Sequence, residues 1–152
     1  MKKLLLASAV SLAIAAVSLP AQAATSTGNF DVNITLTSAC IYAKTSDVAF
    51  TYTSFQTTAA PQTTSGGFTV RCTNTLPYTM ALDAAGSYTD QATQLAYTLA
   101  LSAAGATGNG SAQTYSVTGS IAANQGGNCA TAGGVCTNTA STNKQRTLTI
   151  TY

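Results

Sequence analysis

Few side chains in this sequence can do chemistry, and the types that are missing say as much as those present. There is no histidine, so a Ser-His or Cys-His nucleophile is excluded. There is no glutamate either, which leaves Asp31, Asp47, Asp83 and Asp90 as the whole supply of carboxylates. Paired carboxylates could serve general acid and base catalysis, and only Asp83 and Asp90 are placed to meet, across a loop. Solvated turn residues are the simpler reading of both. The glycine pairs Gly126-Gly127 and Gly133-Gly134 lack the strand-to-helix context of a phosphate-binding loop. Tyr42, Tyr52, Tyr78, Tyr88, Tyr97 and Tyr115 could build a sugar platform, but their parity along the chain suits core and edge positions of strands. Cys40, Cys72, Cys129 and Cys136 are the remaining reactive groups. Without histidine or paired Cys-x-x-Cys spacing they do not form a zinc pattern. No enzymatic activity, cofactor or metal is expected.

The elements that would carry these residues are strands. Phe30, Val32, Ile34 and Leu36 alternate with Asp31, Asn33 and Thr35, the period of two that puts apolar side chains on one face of a strand. The same alternation marks Val48-Phe50-Tyr52, Phe68-Val70-Cys72, Tyr78-Met80-Leu82 and Leu95-Tyr97-Leu99-Leu101. It marks Tyr115-Val117-Ile121, with Gly119 as a bulge or close approach, and Leu148-Ile150-Tyr152. Residues 56–67 read as a polar connection, and Pro77 as a turn or strand start. Residues 105–110 read as an exposed turn, and 124–143 as a loop whose two cysteines replace a core. No stretch shows a period of 3.6. Short alternating strands at this spacing predict one all-β sandwich. The last strand runs to the final residue, so its outer edge is expected to lie uncovered, and the partner of the 30–36 stretch is open.

Residues 1–23 read as a secretory signal peptide: Met1-Lys2-Lys3, an apolar run, Pro20, then Ala21-Gln22-Ala23. The apolar run is too short for a membrane span. In an exported chain an even number of cysteines reads as two disulfides. Three pairings are possible. The local pair Cys129–Cys136 is favoured, which leaves Cys40–Cys72. The formal charge of +2 drops to zero without Lys2 and Lys3, because Lys44, Arg71, Lys144 and Arg146 balance the four aspartates. That balance carries no basic footprint for nucleic acid and no polybasic patch for a membrane surface. It offers little electrostatic resistance to association. Asn33-Ile34-Thr35 and Asn109-Gly110-Ser111 match the glycosylation sequon, which would be coincidental if the source were bacterial.

Taken in order, these pieces resemble the spore coat protein U-like pilins of archaic chaperone–usher pili. The resemblance covers Gly28 to Tyr152. It rests on the alternating N-terminal stretch ahead of Cys40, on Val48-Ala49-Phe50-Thr51-Tyr52, and on Gly67-Phe68-Thr69-Val70-Arg71-Cys72-Thr73-Asn74 followed by Tyr78-Thr79-Met80-Ala81-Leu82-Asp83. It continues with Tyr115-Ser116-Val117-Thr118-Gly119-Ser120-Ile121 leading into Asn124-Gln125, and closes on Arg146-Thr147-Leu148-Thr149-Ile150-Thr151-Tyr152. The chain departs from the pattern at Ala122-Ala123, where a proline turn is usual, and in the cysteine loop, an addition.

The resemblance implies an incomplete immunoglobulin-like β-sandwich that is completed by a donor strand from a neighbouring subunit. Residues 24–37 would be the donor extension and 38–152 the pilin domain. Phe30, Val32, Ile34 and Leu36 would fill the neighbour's groove, which Leu148, Ile150 and Tyr152 would edge. The implied partners are identical or related subunits in a head-to-tail polymer, a periplasmic chaperone and an outer-membrane usher. The product would be a surface pilus for adhesion and biofilm formation, with no nucleic acid bound and no stable membrane insertion. The alternative expectation is a self-complete secreted sandwich, in which residues 30–36 pair within their own chain and the protein acts as a coat or carbohydrate-binding surface.

Overall fold

In the computed structural model, which describes residues 24–152, the alternation is clearest in the interior strand Gly66–Cys72. Phe68, Val70 and Cys72 are almost wholly buried, while Arg71 between the last two is exposed. The signal-peptide reading of residues 1–23 lies outside the described residues. The chain divides into two units, one through Thr35 and one from Leu36 to Tyr152.

In the first unit, residues 24–35 carry no strand, helix or turn, and their side chains are exposed. The alternating stretch at 30–36 was expected to be a strand, and it carries no ladder here. A strand is defined by its hydrogen-bonded partner, so an apolar period of two is not sufficient by itself.

The second unit holds nine strands: β1 (Cys40–Ser46), β2 (Ala60–Pro61), β3 (Gly66–Cys72), β4 (Pro77–Leu82), β5 (Ser87–Thr89), β6 (Ala96–Leu101), β7 (Gly105–Thr107), β8 (Gln113–Ile121) and β9 (Leu148–Thr151). They form two antiparallel sheets, one in the order β1-β3-β8-β6-β5 with β2 added beside β8, the other β7-β4-β9. Phe68, Val70 and Cys72 of the larger sheet and Tyr78 and Met80 of the smaller form one buried cluster. The fold is the expected all-β sandwich.

Cys40 lies directly opposite Cys72 in the β1–β3 ladder, and the two are disulfide-bonded with Cα atoms 4.1 Å apart. Cys129 and Cys136 form the second disulfide, in the irregular stretch after β8. That stretch is the expected loop, relieved only by one helical turn at Ser141–Lys144.

Two local readings need correction, and one open alternative is settled. The Val48-Phe50-Tyr52 stretch is no strand: a single bridge joins Ala49 to Thr64, and alternation without a continuous ladder does not make a strand. Its inward parity survives, and Phe50 packs on Tyr97 with ring centroids 5.7 Å apart. The exposed turn expected at 105–110 is instead β7, followed by a buried Gly108. A Cβ at Gly105 would sit 2.5 Å from the Tyr78 carbonyl oxygen, so glycine here lets two backbones meet and does not mark a turn. Gly119 is likewise a close approach and not a bulge: the β6–β8 register runs unbroken through it.

Candidate strand-acceptor site

Each sheet has an edge strand with apolar side chains on its inward face. In the larger sheet that strand is β1, paired on one side only, with β3. Cys40, Tyr42 and Lys44 lie opposite Cys72, Val70 and Phe68, so they share the inward face. The covering is unequal across this ladder: Val70 is 0 % exposed and Tyr42 is 48 % exposed. Tyr42 leans on Phe68 with centroids 5.7 Å apart and has nothing comparable on its outer flank among the aromatic pairs described. Lys44, at the far end of the same face, pairs with Asp47 at 2.8 Å, and that hydrogen bond and charge raise the Lys44 pKa.

In the smaller sheet that strand is β9, one of the two edges. Leu148 and Ile150 lie opposite Leu82 and Met80 and pack on the buried cluster. Met80 is buried, Ile150 only half-buried, and Tyr152, the next residue of that parity, is 58 % exposed. So the inward faces of β1 and β9 both touch the one core and are both left partly bare. An edge strand in addition presents unpaired backbone N–H and C=O groups, which can accept another strand.

The sequence-derived donor residues fall in the region without ladder pairing: Phe30 is 86 % and Ile34 85 % exposed, with Val32 and Leu36 similar. Four large apolar side chains repeating along one short exposed stretch form the kind of apolar surface that marks an interaction site.

Of the carboxylates, Asp47 pairs with Lys44, and Asp83 and Asp90 are hydrogen-bonded. Asp31 is exposed in the first unit. Asp83 accepts a hydrogen bond from the Tyr88 hydroxyl at 2.7 Å. Asp90 was expected to be a solvated turn residue, and it is buried. It accepts from the backbone N–H groups of Ala92 and Thr93, from the Thr93 hydroxyl, and from Asn138 across the disulfide loop at 2.9 Å. Burial pushes its pKa up, but the bonds from Thr93, Asn138 and Ala92 outweigh that and hold it below the ordinary value. The Asp-x-x-Thr spacing was the available signal for this turn. Asn138 is too distant in sequence to have been foreseen. No group of three His, Cys, Asp or Glu side chains among the described residues could hold a metal.

The tyrosines fill core and edge, as their parity suggested. Tyr78 meets Tyr115 hydroxyl to hydroxyl, and burial, then that bond, push the Tyr78 pKa up to about 12. Tyr88 and Tyr97 stack with centroids 5.3 Å apart, and Arg146 lies against both rings. Sequence reading missed that cluster, because its members are spread over three separate stretches. No helix among the described residues is long and apolar enough to cross a membrane.

The chain is thus a disulfide-linked antiparallel β-sandwich with two half-covered edge strands. A family model for the Spore Coat Protein U domain matches residues 26–150, and the chain belongs to that family, a structural one associated with coats and chaperone–usher pili. Searches of curated proteins and of solved structures gave no match.

Proposed function

We propose that this protein is a pilin subunit that polymerises by strand exchange. Residues 1–23 direct export, residues 24–37 are the donor extension, and residues 38–152 are the accepting sandwich. Phe30, Val32, Ile34 and Leu36 of one subunit lie along the edge formed by Leu148, Ile150 and Tyr152 of the next. Strand addition at an exposed sheet edge is a general recognition mode, for which chaperone–pilin complementation is a known example. A periplasmic chaperone guards the edge before assembly, and an outer-membrane usher is where one subunit's extension replaces it. Donor at one end and acceptor at the other make a head-to-tail contact that does not close, so the product is a filament. Its place is the cell surface, and its work is adhesion and biofilm formation.

The observation that carries this reading is the paired deficit: inward-facing apolar residues half-bare on β1 and β9, and an unpaired alternating apolar stretch at 30–36. Burying four such side chains is worth roughly 6–12 kcal/mol before ordering costs. Ladder hydrogen bonds add to it.

The test is Ile34→Asp. The variant is expected to keep the sandwich, read by its circular dichroism and melting, and to lose the ladder of multimers that wild type gives in unheated detergent. A wild-type chain that stays a lone stable monomer, paired with a variant that fails to fold, would establish the self-complete sandwich instead.

A further inference from the structure

Arg146 stands two residues before β9 and belongs to neither sheet's ladder. Its Nε donates to the Tyr97 hydroxyl at 2.7 Å. Its guanidinium carbon lies 4.8 Å from the centroid of the Tyr88 ring and 5.6 Å from that of Tyr97. The two rings face each other across the β5–β6 ladder, in the larger sheet. The Tyr88 hydroxyl reaches both the backbone and side-chain oxygens of Asp83, each at 2.7 Å. Asp83 then returns the link, its N–H donating to the Thr147 carbonyl at 3.0 Å. The result is a closed circuit: Arg146, Tyr97, Tyr88, Asp83, Thr147. It ties the entrance of β9, in the smaller sheet, to the β5–β6 hairpin of the larger one.

β9 has need of such a tie. Its four residues pair with one neighbour only, β4, through Thr79, Met80, Ala81 and Leu82. The long irregular stretch that leads into it supplies no further ladder. A short strand held on one side opens locally at low free-energy cost. Lysine would serve only in part, because the planar guanidinium lies on a ring face and donates in its own plane at once, whereas an ammonium on a ring face has no such in-plane fork.

We propose that Arg146 is a positioning residue for strand acceptance: it holds β9 in register while the edge is still empty. The functional half of this rests on the strand-exchange reading, whereas the clamp stands on the geometry alone. Arg146 acts through β9 and contributes no side chain to the incoming strand. A residue that merely stabilised the fold would protect all strands alike; a positioning residue protects β9 alone.

Amide hydrogen exchange on the monomeric, oxidised chain separates the two roles, read at Leu148–Thr151 and, for comparison, at Gly66–Cys72. Arg146→Ala is expected to speed exchange in β9 by about tenfold or more and to leave β3 unchanged. Arg146→Lys is expected to recover part of the protection. Tyr97→Phe, which keeps the ring and removes only the acceptor, is expected to give a rise of a few-fold, and it keeps the test decisive should Arg146→Ala fail to fold. An excess of synthetic peptide spanning residues 28–37 is expected to restore β9 protection in every variant, with slower association for Arg146→Ala. Equal β9 exchange in wild type and variants overturns the proposal, and so does an equal rise in β3. A wild-type chain that leaves the peptide unbound sinks the strand-exchange reading and the functional half with it, while the exchange pattern still decides the clamp.

Discussion

At the scale of single residues, Asp90 shows how a charged side chain is kept inside a small sandwich. Both carboxylate oxygens accept hydrogen bonds, Oδ1 from the turn it starts and Oδ2 from Asn138. Removing the carboxylate leaves buried donors unpaired, so Asp90→Ala is expected to cost about 1–3 kcal/mol, measured as a drop in denaturation midpoint without change of slope. The pH dependence follows from its depressed pKa. The carboxylate's contribution is fully present above the ordinary carboxylate range and is lost as pH falls through the lower folded-state value. Wild type is expected to lose stability below about pH 4, and Asp90→Asn to flatten that acid limb. The turn itself was legible in Asp-x-x-Thr; the burial was not, because Asn138 arrives from beyond β8 with no local trace of the pairing.

Among the elements, the period of two located β3, β4, β6, β8 and β9, whose inward residues are large and apolar. It missed β1, where the large Ile41 and Tyr42 stand on opposite faces, and it missed three very short strands. The strands β2, β5 and β7 have two or three residues each, and their pairing is decided by neighbours. Glycine misled at 105–110, where it permits close backbone contact inside a sheet, and Gly119 shows the same use more sharply. A Cβ there would meet the Thr98 carbonyl at 2.5 Å and the Phe50 ring at 2.8 Å. Gly119→Val is expected to destabilise by about 1–3 kcal/mol, seen as a lowered melting temperature. Gly28→Val, with nothing near its Cβ position, is the control expected to change little. The stretch at 30–36 marks the limit of periodicity as a guide: alternation reports which face will be buried, and is silent on the chain that buries it.

For the whole molecule, the sandwich and both disulfides were legible from alternation, turn residues and an even number of cysteines. The Arg146 circuit was not, since it joins two sheets through residues that look ordinary in their own segments. The two disulfides differ in the loops they close, with separations of 32 and 7 residues. In the chain-entropy account the longer loop contributes roughly 3–4 kcal/mol and the shorter about 2–3. The Cys40→Ala/Cys72→Ala double variant is therefore expected to lose more stability than Cys129→Ala/Cys136→Ala in denaturant unfolding, and to part β1 from β3. The shorter disulfide tethers the loop that brings Asn138 to Asp90.

The Cys40–Cys72 bond also has a mechanical meaning. Any tension passed along residues 24–39 reaches the sandwich at the first residue of β1. Without a cross-link there, the load would peel β1 from β3 one hydrogen bond at a time, the weakest direction in which a ladder can be pulled. The covalent bond sits at that end of the ladder, so the load passes straight into the buried interior strand β3.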